Sequence, residues 1–188
     1  MSMRNSWFGC VIGVCLFSGS AGAQSMVGHF GVGQTATADE AAKYFSIPPS
    51  GDGLPAGSGT AKAGVEVFAS TCAACHSDKL QGNPAAGIGG DRLLGGRGSL
   101  AGKTPVKTVE SYWPYATTLF DYIKRTMPFS APGSLKDDEV YSLVAYILSE
   151  ARIIKPSETI DAKSLPKVQM PNKDGFIPDA RPELELYR

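Results

Sequence analysis

The sequence predicts an all-α domain with an extended arm at either end. Three observations predict it. Three segments between Ala61 and Arg152 repeat apolar residues at helical spacing. No run of useful length alternates apolar with polar residues, as a half-buried strand would. Glycine and proline crowd the flanks, where they act as turn signals rather than core formers. The 188 residues are 43% hydrophobic and 19% charged, enough for one core, and 18 basic residues balance 18 acidic ones. A formal charge of zero supplies no global attraction for nucleic acid, so no nucleic-acid partner is expected.

Residues 1–23 read as an export signal. Arg4 is its positive start, Trp7 to Phe17 its apolar stretch, and Ala21-Gly22-Ala23 a small-residue cleavage site before Gln24. The apolar stretch is shorter than the roughly 20 residues of a bilayer span, so no membrane span is expected after processing. Cys10 and Cys15 leave with the signal, and the exported, periplasmic chain keeps Cys72 and Cys75.

Residues 24–60 form the N-terminal arm, rich in turns such as Pro48-Pro49-Ser50-Gly51. One short helix is expected at Thr37 to Phe45, where Thr37 and Glu40 have the form of a capping box. The domain proper spans 61–152. Its first helix runs from Ala61 to Ala74 with Val65, Phe68 and Ala69 on one face. Residues 77–111 carry glycines from Gly82 to Gly102 and little periodicity, and a loop of that length must wrap something or serve a site. Leu93 and Leu94 are expected to touch a buried surface. Pro114 can open the next helix, which continues through Tyr115 to Arg125 with Leu119, Tyr122 and Ile123 inward and stops before Pro128. Asp137, Asp138 and Glu139 suit the positive start of a third helix. Val140, Leu143, Val144, Ile147 and Leu148 form its core-facing stripe, fading near Arg152. Residues 153–188, with Pro156, Pro166, Pro171, Pro178 and Pro182, read as an extended tail that keeps apolar Leu165, Val168, Met170, Phe176 and Ile177.

The chemistry sits in Cys72-Ala73-Ala74-Cys75-His76. C-x-x-C-H reads as c-type haem attachment: two thiols three residues apart can form thioethers to the two vinyl groups of one porphyrin, and the adjacent imidazole can bind the iron. A zinc site needs about four ligands and finds no second cysteine pair. A redox dithiol belongs beside a βαβ pattern, which is missing, and a plain disulfide leaves His76 and the glycine loop unexplained.

Met127 is the expected sixth iron ligand, because it follows a helix, precedes the last core helix and is fixed by Pro128. Met170, which also precedes a proline, and His29 rank below it, and Met26 lies in the arm. A His/Met pair raises the reduction potential and favours electron transfer. Pro84 either places a carbonyl against the imidazole or is a simple turn proline. Trp113 and Tyr112 either edge the haem or fill the core. Arg92 and Arg97 either pair with propionates or stay solvated. Gly64 and Phe68 are expected to meet Tyr146 where the first and last helices cross.

With its helix entering C-x-x-C-H, its glycine loop, Met127-Pro128 and its terminal helix, the sequence resembles the class I cytochromes c. Further runs are similar to the cytochrome subunit of sulfite or sulfane dehydrogenases of the periplasmic Sox sulfur-oxidation system. They are Val106-Lys107-Thr108-Val109, Tyr112-Trp113-Pro114-Tyr115-Ala116, Met127-Pro128-Phe129, Asp137-Asp138-Glu139-Val140-Tyr141, and in the flanks Gly53-Leu54-Pro55 and Leu165-Pro166. The resemblance implies a class I cytochrome c fold around one covalent haem c. It also implies a molybdenum-cofactor dehydrogenase subunit as electron donor and a downstream acceptor such as another cytochrome. Some members of that family carry two haems, whereas this chain has a single C-x-x-C-H. The rival expectation is a haem enzyme in its own right, a peroxidase or a thiosulfate-oxidising cytochrome.

Overall fold

The computed structural model describes residues 37, 46–83, 90–178 and 180. The export signal, and all but Thr37 of the helix expected at 37–45, lie outside the described residues. The chain order is strand β1 (Ser58–Thr60), helices α1 (Ala61–Thr71), α2 (Ala73–His76), α3 (Ala116–Thr126) and α4 (Asp137–Glu150), strand β2 (Thr159–Asp161) and a 3-10 turn at Leu165–Lys167.

α1 starts where the Thr60 hydroxyl accepts the Ala63 N–H at 3.3 Å, the N-cap arrangement expected of threonine. It ends at Cys72 instead of running to Ala74, and the single turn α2 resumes at Ala73. Its buried face is Ala61, Gly64 and Phe68, whereas Val65 and Ala69 of the expected face are exposed. The reason is a backbone-to-backbone crossing. A Cβ on Gly64 would lie 2.1 Å from the Ser142 carbonyl oxygen, so only glycine lets α1 settle on α4 there. Phe68 meets Tyr146 edge-on at 5.3 Å, as expected from the sequence.

α3 begins at Ala116, two residues after Pro114, with Tyr115 extended as its N-cap. It buries Ala116, Leu119, Phe120 and Ile123, but Tyr122 is 44% exposed and rests edge-on against Trp113 at 5.6 Å. α4 starts as a capped helix: the Glu139 carboxylate accepts the Lys136 N–H at 2.7 Å, and three acidic residues occupy the first turn. Every residue from Val140 to Ser149 is buried, so α4 is a central rod and not a one-sided stripe.

The flanks explain that difference, because both pack on the helices. β1 and β2 pair antiparallel, with Gly59 opposite Ile160. The pair lies on α4 so closely that a Cβ on Gly59 would sit 2.1 Å from the Ser142 nitrogen. Ahead of β1, the Tyr141 hydroxyl donates to the Pro55 carbonyl at 2.8 Å, and the Asp121 carboxylate accepts the Ile47 N–H at 3.0 Å. Beyond α4, Ile154, Ile160, Leu165 and Met170 join the main core. The Asp161 carboxylate accepts the N–H groups of Ser164 at 2.7 Å and Lys163 at 2.8 Å, bonds that hold its carboxyl below the usual carboxylate range. Leu94 and Leu93 reach the same core from the glycine loop, as expected.

Candidate haem site

Cys72 caps the start of the short helix α2 and Cys75 lies within it, both half-buried and both free thiols. Burial pushes the Cys72 thiol up. The Thr71 hydroxyl, 3.3 Å from its sulfur, pulls the other way, and Cys75 adds a small upward push. Among the described residues, no three His, Cys, Asp or Glu side chains gather as a metal site.

His76 closes α2. Its Nδ1 lies 2.7 Å from the carbonyl oxygen of Asp91. With the proton on Nδ1, the ring donates to that carbonyl and presents the lone pair of Nε2 outward, the arrangement of an oriented metal-binding imidazole. Pro84 lies outside the described residues; the carbonyl that meets the ring is that of Asp91. Its placement depends on the loop. Residues 80–83 and 90–93 run past each other, joined by Asn83 N–H to the Gly90 carbonyl at 3.0 Å and by Leu93 N–H to the Leu80 carbonyl at 2.9 Å. A Cβ on Gly90 would fall 1.8 Å from the Cys75 carbonyl oxygen, so the loop touches the backbone of the motif itself. Two free thiols and an oriented imidazole next to them fit a haem that would be held by two thioethers.

Met127 ends α3, its N–H bonded to the Ile123 carbonyl at 3.0 Å, and its side chain is half-buried beside the core. Phe129, two residues on, is 81% exposed. Met170 is only 4% exposed, closed within the main core, while Met26 and His29 lie outside the described residues. Trp113 is half-buried against Tyr122. Tyr112 faces the tail: its carbonyl accepts the Asn172 amide at 2.8 Å, and its ring meets Phe176 at 5.2 Å. Arg92 is exposed. Arg97 is committed elsewhere, to the Glu110 carboxylate at 2.8 Å and to the Ala151 carbonyl at the end of α4. The second Glu110 oxygen accepts the Gly95 N–H at 2.6 Å. Asp91, Asn83 and Glu110 were not foreseen. Asp91 acts through its main chain, which side-chain chemistry does not signal, and Glu110 carries no spacing cue.

A cavity of about 440 Å³ opens beside β2, lined among others by Ile154, Ile160, Lys163 and Lys167, and none of its lining residues belongs to the haem motif. No helix among the described residues is long and apolar enough to cross a membrane.

Comparison with known proteins follows the same lines. Residues 61–151 match the family model for cytochrome c. No curated protein matches. Among solved structures, the chain is similar to one from the crystal structure of the sulfane dehydrogenase SoxCD from Paracoccus pantotrophus. The TM-score is 0.71 and the identity 36%, over 83% of this chain and 75% of that one.

Proposed function

This chain belongs to the cytochrome c family, and from that premise we propose that it carries single electrons in the periplasm as the electron-accepting subunit of a molybdenum-dependent sulfite or sulfane dehydrogenase. Its cofactor is haem c. Cys72 and Cys75 would hold it covalently, and His76, through Nε2, and Met127 would be the ligands of its iron. Bound haem supplies reversible one-electron exchange, at a potential raised by a His/Met ligand pair. The chain supplies the rest. The Asp91 carbonyl fixes the tautomer and rotation of the His76 ring. The end of α3 presents Met127, and the Trp113–Tyr122 ring pair braces that helix on the turn before it.

One observation supports the partner. The 36% identity to the sulfane dehydrogenase chain covers 83% of this sequence, well beyond residues 61–151 of the family match. Similarity that includes the flanks is more specific than a shared haem motif.

The holo protein, purified with whatever binds it, is tested with sulfite and with sulfane sulfur compounds. Reduction of the haem by one of them, only while the partner is present, is the expected result. No reduction by either sinks the partner assignment. Carbon monoxide binding to the reduced protein at neutral pH would reveal an exchangeable iron position and favour the haem-enzyme alternative.

A further inference from the structure

We propose that Asn83 is the positioning residue for the His76 imidazole. The orienting hydrogen bond joins two separate pieces of chain, His76 at the end of α2 and Asp91 in the glycine loop. Something must hold those pieces in register, because a carbonyl in a loop with so much glycine is not fixed by its own backbone preferences. Asn83 makes both connections. Its main-chain N–H donates to the Gly90 carbonyl at 3.0 Å, which fixes the run of chain carrying Asp91. Its side-chain Nδ2 donates to the Ala74 carbonyl at 3.1 Å, inside the turn that carries His76. That carbonyl belongs to a four-residue helix that ends too soon to pair it internally. Gly82, at φ +78°, donates its N–H to the His76 carbonyl at 2.9 Å and turns the chain into Asn83. A Cβ on Gly82 would stand 2.7 Å from the Gly90 carbonyl oxygen, so the two runs are in close contact. Asn83 thus ties the acceptor's loop to the donor's helix.

The consequence is electronic as well as structural. A firm Nδ1–H bond makes the imidazole a better donor and favours ferric iron; a loosened one raises the reduction potential. The inference rests on His76 ligating haem iron. That reading fails separately, if His76→Ala leaves the holo spectrum unchanged.

The test uses holo protein carrying Asn83→Ala, Asn83→Leu or Asn83→Gln, all neutral changes that leave the charge around the haem alone. Asn83→Ala and Asn83→Leu are expected to shift the midpoint potential upward. They should also speed hydrogen exchange of the His76 Nδ1 proton about tenfold, as expected for loss of one hydrogen bond. Asn83→Gln keeps a donor and should fall between them and the parent. A lowered Tm with unchanged potential and exchange would make Asn83 a loop brace only and overturn the proposal. If Ala and Leu variants do not retain haem, the unaltered holo protein still decides: the Asn83 amide and His76 Nδ1 protons must open together, and independent opening overturns it.

Discussion

Methionine occupies two very different settings in this molecule. Met170 is sealed in the core with Leu165 and Ile160, where its thioether is apolar filler. Met127 is half-buried at the end of α3, directly before Pro128. Met127→Ala is therefore expected to keep covalent haem but lose the far-red sulfur–iron absorption. Met170→Ala should keep that band and lose about 2–5 kcal/mol of stability in urea unfolding. A band that survives Met127→Ala excludes Met127 as ligand. Cys72, Cys75 and His76 can be proposed from the sequence because covalent haem attachment demands side chains at one fixed spacing. The partner of His76 was not, because any residue can present a carbonyl, and Pro84 and Asp91 are indistinguishable as acceptors until the loop path is known. Arg97 was legible as a charge but not as a link, since its partners Glu110 and Ala151 come together only when the loop folds back on α4.

Among the elements, α4 carries the most consequence. Its apolar stripe was plain in the sequence, yet Tyr141, Ser142, Tyr146 and Ser149 are buried as well, because β1 and α1 cover faces that periodicity alone assigns to water. The strands are three residues each, too short for any alternation to show. Tyr141 records this enclosure. Burial first, then the carboxylates of Asp137, Asp161 and Asp138, push its phenol up to about 12 from the ordinary value near 10. A raised value favours the folded state while the phenol is neutral. That contribution is complete below about pH 10 and is lost as pH rises from about 10 to 12. Tyr141→Phe removes the bond to Pro55, about 1 kcal/mol at neutral pH, and with it this share of the alkaline loss. Urea midpoints at pH 9 and pH 11, followed by circular dichroism, should converge between parent and variant. Parallel slopes would refute the assignment.

For the whole molecule, the segments on either side of the helices matter as much as the helices. The prolines of residues 153–178 mark an irregular path, which is why the sequence reads as an extended tail; its buried Ile160, Leu165 and Met170 show that the path runs over the domain. Each such side chain is worth roughly 1.5–3 kcal/mol on burial, against a total stability of about 5–15 kcal/mol for a typical domain. Removing residues 156–188 is therefore expected to lower the Tm steeply or abolish accumulation of folded holo protein, as circular dichroism and yield will show. A truncated protein melting within a few degrees of the parent would contradict this. The sheet that closes the domain pairs Ser58 with Asp161, residues more than a hundred positions apart, with the whole haem motif between them. Synthesis delivers the early strand first, and closing so long a loop is slow and entropically costly. The thiols of Cys72 and Cys75 thus emerge into a chain that cannot yet shut, which leaves an interval for haem to be attached before the late strand arrives and locks the ends together.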